Sequence, residues 1–256
     1  MPTLFVVSDI HSHYTPLKKA LDEKGFDLNN EDHWLIVCGD AFDRGAESED
    51  VLHFLMSLER KVLVKGNHDI LLDVLCDRGY PLSHDKSNGT VRTVQDLGGS
   101  QLPRDFADCC QKTWNKLARY RELLVNYFET KNYIFVHSWI PTDVHFEGNS
   151  KPWYQQGKTH SWMEDWRNAN EVEWEEAMWG NPFKFADLNF NQTGKTIVFG
   201  HWHCSAGHKL LGNCENEFEY TIWEPCYYNN TIGIDRCTAH TGEVNVLVLE
   251  DEFLDS

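Results

Sequence analysis

Residues 4–12 read LFVVSDIHS, an apolar and β-branched run that ends in a carboxylate and a histidine two positions apart. Runs of this length predict β-strands, because they leave no room for a helix. The same form recurs in WLIVC before GDAFDRG (39–45), KVLVK before GNHD (66–69), YIFV before HS (137–138) and TIVF before GHWH (200–203). In sheets flanked by helices, ligands bind at the carboxyl ends of the strands. The polar motifs are therefore expected to meet at one point.

The segments between these runs carry helix signals, which indicates an α/β fold. Thr15-Pro16 predicts a helix that runs to about Glu23, and Ser48 predicts the cap of a second helix. A third helix is expected to begin at the GNHD turn, and a fourth to cover residues 105–120. The tail, residues 217–250, predicts hairpin-forming strands broken at Asn229-Asn230 and Thr241-Gly242.

Length and composition favour one domain over residues 1–256, with residues 139–178 as an insertion or cap. The chain has 256 residues, of which 41% are hydrophobic, enough for one large core or one core with a small cap. The first residues hold no signal-peptide or membrane-spanning run, so we expect a cytoplasmic protein that does not bind membranes. The eight cysteines form no CxxC pair and are expected to be free thiols, mostly buried.

The net charge of −17 argues against binding to nucleic acid, because that affinity comes from Lys and Arg that neutralise phosphates. A phosphate can still be attracted locally if divalent cations are bound in the site. The charge therefore argues against a nucleic-acid partner without excluding a phosphorylated protein or a small phosphoester. The oligomeric state is left open.

Six of the ten tryptophans lie in residues 139–179, among many acidic side chains. One interpretation is a packing insertion with tryptophans inside and acids outside. The other is a cap whose aromatic rings form part of a substrate cleft. Both interpretations hold together if the insertion lies beside the site.

The motif residues have the chemistry of a metal centre. Asp9 and His11 are two positions apart on a predicted strand, so both leave the same face and can chelate one metal. Asp40 follows Gly39, and its two oxygens can bridge two cations. The further candidate ligands are Asn67, His137, His201 and His203. Imidazole and carboxylate sets suit Mn, Fe or Zn.

Three motif residues have side chains suited to catalysis and phosphate binding. His68 follows Asn67 and is expected to point the other way on extended chain, where an imidazolium can protonate a leaving oxygen. Asp43 is placed to orient that imidazole, and Arg44 offers a planar fork of donors for two phosphate oxygens.

At these motifs the chain resembles the calcineurin-like metallophosphoesterase superfamily, and within it small bacterial and phage members of the phosphoprotein phosphatase family. The resemblance implies two packed mixed sheets with helices on both outer sides, hence four layers. It also implies two divalent ions, with Mn as the first expectation, and a bridging hydroxide as nucleophile. One ion would be held by Asp9, His11, Asp40 and His203, and the other by Asp40, Asn67, His137 and His201. His68 paired with Asp43 would be the general acid, and Arg44 would bind phosphate.

Two departures from the family pattern concern the phosphate clamp and the first motif. Ser12 stands where the family has Gly after the DxH pair. Small members carry a second phosphate-binding Arg just after a Trp, whereas MWGNP places Asn181 near that position. Arg167, Lys184 and Arg119 are the candidates to replace it.

The resemblance gives a leading function and two alternatives. The leading hypothesis is hydrolysis of phosphomonoesters, with phosphoserine or phosphothreonine as substrate. The alternative enzyme is a nucleotide or dinucleoside polyphosphate hydrolase of the same superfamily. Asp43 favours the first, because diadenosine tetraphosphate hydrolases generally lack this aspartate. A non-catalytic scaffold is disfavoured by the full ligand set and by His68.

Overall fold

The strands follow the apolar runs of the sequence. The computed structural model describes residues 1–147, 157–218 and 221–254. Its strands are β1 (Thr3–Val7), β2 (His33–Cys38), β3 (Lys61–Val64), β4 (Leu124–Val125), β5 (Phe128–Glu129), β6 (Tyr133–Phe135), β7 (Thr142–Glu147), β8 (Gly157–Trp162), β9 (Thr196–His203), β10 (Cys226–Tyr228), β11 (Thr231–Asp235) and β12 (Leu247–Glu250). Each apolar run that precedes a motif therefore forms a strand.

Helices fill most of the connections between these strands. They are α1 (Tyr14–Glu23), α2 (Ser48–Ser57), α3 (Asn67–Arg78), α4 (Ser83–Asn88), α5 (Thr90–Gly98), α6 (Phe106–Lys116), α7 (Ala118–Glu122), α8 (Glu171–Met178), α9 (Pro182–Asp187), α10 (Cys204–Leu210) and α11 (Thr238–Thr241). None of the helices over the described residues is long and apolar enough to cross a membrane.

The long strands form two mixed sheets. The first has the order β12-β1-β2-β3-β4, and the second has the order β10-β11-β9-β6-β5. Strands β1, β2, β3 and β4 are mutually parallel, and β12 is antiparallel to β1. In the second sheet β11, β9 and β6 are parallel, with an antiparallel strand at each edge. The predicted α/β class with two mixed sheets is confirmed.

Alternation along the strands places three apolar clusters in separate layers. Leu4 and Val6 of β1 pack with Phe135 and Val198 in a cluster between the two sheets. Phe5 and the other outward residues of the first sheet pack against its helices. The outer face of the second sheet packs against α8, α9 and α10. Side chains of opposite parity in a strand point to opposite faces, so the predicted four-layer arrangement follows from the strand sequences.

The Trp-rich segment packs on the second sheet. Trp139, Trp166 and Trp174 are buried in the outer cluster of that sheet, as the packing interpretation predicts. Trp179 is instead 52% exposed. Residues 148–156 of this segment, which include Trp153, lie outside the described residues. The division into one domain with an insertion at 139–178 stays a prediction.

The helices α1 and α2 begin within two residues of the predicted positions, but the predicted residues do not cap them. Thr15 lies inside α1, and its hydroxyl and backbone N–H donate to the Glu47 carboxylate. The residue before α2 is Glu47, while the Ser48 hydroxyl contacts that of Ser12 at 3.0 Å. Asn67 and His68 form the first turn of α3, so the prediction of extended chain there is wrong. At α1 and α2, Thr15 and Ser48 therefore contact residues that are distant in sequence instead of capping their own helices.

Two other regions differ from the sequence prediction. The helix expected over 105–120 is divided at Leu117 into α6 and α7, with the ring of Trp114 39% exposed. In the tail, Asn229-Asn230 forms the predicted turn between β10 and β11, but 238–241 is a short helix. All eight cysteines are unpaired, and six of them are buried, as predicted.

A buried carboxylate joins the two sheets near their edges. Asp251 follows β12 of the first sheet and accepts hydrogen bonds from Thr130 Oγ1 (2.6 Å), Asn132 N (2.8 Å) and Asn132 Nδ2 (2.6 Å) in the turn between β5 and β6. Burial alone would raise the pKa of Asp251, but these donors hold its pKa below the usual value. Its contribution to stability is therefore present above the unfolded pKa of about 3.9 and is lost as the pH falls through the folded pKa.

We predict that Asp251→Ala lowers the free energy of unfolding by about 1–3 kcal/mol, because the buried Thr130 hydroxyl loses its acceptor and Asn132 loses two hydrogen bonds. Urea denaturation at pH 7 measures the change, and the difference from wild type should shrink at low pH. Glu252→Ala is the matched control, because Glu252 pairs with Lys131 on the surface; it should change stability by no more than about 0.5 kcal/mol. Equal losses in the two variants would contradict the joining role of Asp251.

Candidate metal centre

The first ligand motifs lie in left-handed backbone just beyond the strands. Strand β1 ends at Val7, and Asp9, His11 and Asp40 have φ values of 49°, 50° and 51°. The prediction that Asp9 and His11 share a face of an extended strand is therefore wrong in its geometry, although both side chains do reach the site. Left-handed residues other than glycine are uncommon and cluster at functional sites.

Glycines allow the backbone to approach these carboxylates. A Cβ atom on Gly66 would overlap the Asp40 carboxylate, and a Cβ atom on Gly200 would overlap that of Asp9. The glycines of GNHD and GHWH are thus required by close contact with acidic side chains of other strands. The spacing of the motifs in sequence gives no direct sign of this requirement.

One group of side chains is centred on His11. Its Nε2 lies 3.9 Å from Asp9 Oδ1 and 3.9 Å from Asp40 Oδ2, and His68 Nε2 lies 3.9 Å from the same Asp40 oxygen. His11 Nδ1 lies 2.9 Å from the carbonyl oxygen of Phe42, so a proton there leaves Nε2 with its lone pair. That Nε2 is buried and has no hydrogen-bond partner among the described residues. A cation between it and the carboxylates would satisfy all three groups.

A second group is centred on His137. Its Nε2 lies 2.7 Å from Asn67 Oδ1, 3.2 Å from His201 Nδ1 and 3.5 Å from Asp40 Oδ1. Its Nδ1 lies 3.0 Å from the carbonyl oxygen of Cys38, which fixes the ring. The ligand-type atoms of Asp40, His137 and His201 are close enough to hold one ion, as are those of His11, Asp40 and His68. Asp40 belongs to both groups.

The electrostatics of the two groups are those of metal ligands. Burial, with the Arg44 charge, holds the pKa of His11 well below its usual value, and burial with His137 lowers the pKa of His201 to about 3. Burial would raise the pKa of Asp40, but the surrounding histidines, His137 first, hold it below the usual range. A neutral His11, a neutral His201 and an ionised Asp40 have the protonation states that metal binding requires.

The structure brings Asp9 to the edge of this arrangement but leaves His203 outside it. Asp9 Oδ2 accepts a hydrogen bond from the backbone N–H of His201 at 2.9 Å, and burial raises the Asp9 pKa to about 6. The ring of His203 packs edge-on against Phe218 and Trp223, with centroids 5.9 and 6.1 Å away. Its assignment as a ligand stays a prediction.

The His68 ring lies between the carboxylate of Asp43 and the guanidinium group of Arg44. Its Nδ1 lies 2.7 Å from Asp43 Oδ2, and Arg44 Nη2 lies 3.3 Å from its Nε2. Burial lowers the pKa of His68, but Asp40 and Asp43 together raise it above the usual value. The two carboxylates favour the imidazolium that a general acid requires, whereas the Arg44 guanidinium, which can only donate to Nε2, opposes it.

Two threonines that the sequence did not single out orient Asp43. Thr90 Oγ1 donates to Asp43 Oδ2 at 2.7 Å, and Thr93 Oγ1 donates to Asp43 Oδ1 at 2.9 Å. All three residues are buried. The threonines lie on α5, which the sequence analysis left unassigned.

A further buried acid escaped the sequence analysis. Asp235 ends β11 and lies opposite His203 in the sheet register. Burial, and then the neighbouring Asp9, raises its pKa well above the usual value. The run TIGID has the same form as the motif strands, an apolar stretch that ends in an acid. This pattern is the feature of the sequence from which Asp235 could have been identified.

The candidates for a second phosphate clamp are mostly engaged elsewhere. Asn181 caps α9, with its Oδ1 3.1 Å from the N–H of Lys184. Arg167 forms a two-pronged ion pair with Glu129, at 2.8 and 2.7 Å. Arg119 pairs with Glu122 at 2.9 Å. Of the three cations named from the sequence, Lys184 alone is seen to line a cleft with Trp179 and Asn181.

Comparison with known proteins gives the family. Residues 2–205 match the model of the calcineurin-like phosphoesterases. The chain belongs to this family. Membership confirms the resemblance inferred from the motifs, and with it the enzyme class, a metal-dependent phosphoric ester hydrolase.

Curated relatives match a shorter region. A symmetrical bis(5'-nucleosyl)-tetraphosphatase of Proteus mirabilis is 37% identical over 86 residues, which are 33% of this chain and 31% of the relative. A protein of the same name from Pseudomonas fluorescens is 30% identical over 138 residues, 54% of this chain and 43% of the relative. The chain thus spans between about a third and less than half of the length of these relatives.

Solved structures of low identity show the same fold. A protein serine/threonine phosphatase from Saccharomyces cerevisiae gives a TM-score of 0.53 at 13% identity, over 100% of this chain and 81% of that one. A cold-active protein-tyrosine phosphatase from a Shewanella species gives a TM-score of 0.51 at 14% identity, over 98% and 76%. The two-sheet architecture is common to all three chains.

The geometry leaves two roles open for His68, ligand or general acid, and one variant separates them. We predict that His68→Asn keeps two metal ions per chain, while turnover of a phosphoserine peptide by the Mn-loaded protein falls by about 10² to 10⁴, the usual contribution of a positioned acid. Elemental analysis and steady-state kinetics give the two values. Asp40→Ala is the reference for metal loss, and Asp77→Ala, an exposed acid of α3, is the neutral control. Loss of one ion from His68→Asn would make His68 a ligand.

Proposed function

We propose that the chain hydrolyses nucleotides or dinucleoside polyphosphates, with a dinucleoside tetraphosphate as the first candidate substrate. This was the alternative in the sequence analysis, where the phosphoprotein substrate came first. The observation that carries the change is the similarity of part of the chain to relatives named symmetrical bis(5'-nucleosyl)-tetraphosphatases, at 37% identity over 86 residues and 30% over 138.

The metal ligands are proposed as the sequence assigned them. Asp9, His11, Asp40 and His203 hold one ion, and Asp40, Asn67, His137 and His201 hold the other. The unpartnered His11 Nε2 and the place of Asp40 in both groups support this set. Two divalent cations supply Lewis acidity toward a phosphoryl group when they are bound there. Mn²⁺ is proposed because the donors are oxygen and imidazole.

The other motif residues act on the substrate itself. Arg44 lies next to His68 and is proposed to bind phosphate oxygens through its guanidinium group. The acidic chain repels a polyphosphate elsewhere, since its net charge is −17. Arg44 and the bound cations are therefore proposed to supply the attraction for the phosphate groups at the reacting centre. A cytoplasmic location stays a prediction.

A second candidate function is supported by the pair of His68 and Asp43. A serine or threonine alkoxide is a poor leaving group and needs a proton donor, whereas a nucleotide phosphate leaves as a stable anion. An imidazolium held 2.7 Å from Asp43, with Thr90 and Thr93 behind it, is the apparatus for the first case. This observation keeps phosphoprotein hydrolysis as the second candidate.

The test is a substrate comparison on Mn-loaded protein. We predict that kcat/KM for diadenosine tetraphosphate exceeds that for a phosphoserine or phosphothreonine peptide by about tenfold or more. These values are compared because the ratio of two kcat/KM values measures specificity. Chromatography should find ADP as the sole nucleotide product if cleavage is symmetrical. Asp40→Ala prepared in parallel controls for contaminating hydrolases. A preference for the phosphopeptide would reverse the order of the two candidates.

A further inference from the structure

A cleft opens between the β7–β8 hairpin and the helices α8 and α9. Its volume is about 620 Å³, within the range of small-molecule sites. The residues used below are Glu175, Glu176, Trp179, Gly180, Asn181 and Lys184, all of which line it. None of them belongs to the metal-ligand set.

Trp179 joins this cleft to the metal centre. Its ring meets that of His201 edge-on, with centroids 6.3 Å apart and planes at 88°. Trp179 is 52% exposed as a residue, so it is accessible to a ligand. Its neighbour Gly180 is held by Ser138, whose hydroxyl donates to the Gly180 carbonyl at 2.9 Å. Ser138 directly follows His137, so the position of Trp179 is fixed to a strand that carries a ligand.

The charges of the cleft favour the uncharged part of a substrate. Glu175 and Glu176 line it, and Glu176 also pairs with Lys158. Carboxylates repel phosphate groups but accept hydrogen bonds from ribose hydroxyls and from the amino group of a base. Lys158 and Lys184 are the lysines that line the same cleft.

We propose that this cleft binds one nucleoside of the substrate, with its base stacked on Trp179 and its phosphates directed past His201 into the metal centre. The inference rests on the proposed nucleotide function and assigns a residue for base recognition. Stacking on an aromatic ring tolerates any base, so Trp179 would select for a nucleoside and not for its identity.

The experiment compares two inhibitors of para-nitrophenyl phosphate hydrolysis by the Mn-loaded full chain. ADP and inorganic pyrophosphate both carry two linked phosphates, but only ADP carries a nucleoside, so the ratio of the Ki of ADP to the Ki of pyrophosphate isolates the contribution of the nucleoside. In Trp179→Ala this ratio should rise about tenfold, which is at the lower end of measured stacking losses. Trp179→Phe keeps a ring and should keep most of the ratio. Trp114→Ala is the control, because that partly exposed indole stacks on Arg121 in another part of the fold.

The outcomes separate this inference from the proposed function. Wild-type cleavage of diadenosine tetraphosphate with an unchanged ratio in Trp179→Ala would overturn the nucleoside cleft and leave the function standing. A tenfold rise in a chain that does not cleave diadenosine tetraphosphate would support the cleft and overturn the function. An unchanged ratio with impaired hydrolysis of a basic phosphopeptide would show that the acidic cleft takes a peptide, which also overturns the inference.

Discussion

The Asp40 carboxylate, buried among histidines, is the interaction on which the site depends. One oxygen lies 3.5 Å from His137 Nε2 and accepts the His68 N–H at 3.0 Å, and the other lies 3.9 Å from His11 Nε2. Burying an ionised carboxylate costs free energy unless it is paired and hydrogen-bonded. Asp40 follows β2 of the first sheet, whereas His137 and His201 come from strands of the second sheet. Packing of the two sheets is therefore also what completes the environment of this charge.

The backbone around the site is arranged for close approach more than for regular structure. Asp9, His11, Asp40 and His201 all have positive φ values, each of which costs free energy outside glycine. Gly66 and Gly200 allow carboxylates of neighbouring strands to reach their backbone. The well-packed layers on both sides of the sheets hold these strained turns in place. The free energy gained by packing in the rest of the fold thus offsets the strain of these turns and holds the side chains of the candidate site in place.

The sequence predicts the parts of this site that depend on local pattern. Short apolar strands closed by polar residues predict both the sheets and the meeting of Asp40, Asn67 and His137 at their ends. The support behind Asp43 is not predictable in this way, because Thr90 and Thr93 are 47 and 50 residues away and no local pattern marks their contact. For the same reason the capping role of Asn181, an expected clamp position, appears only once α9 is placed.

We propose that the Asp40 carboxylate bridges two cations. Electron paramagnetic resonance of the protein loaded with two equivalents of Mn²⁺ is the direct test of this position. Ions that share a carboxylate at about 3.5–4 Å are magnetically coupled. We expect the multiline spectrum of a coupled Mn pair in the wild-type protein, and the spectrum of isolated ions in Asp40→Asn. A wild-type protein that shows only isolated ions at two equivalents, or a coupled pair that survives Asp40→Asn, would contradict the bridging position of Asp40.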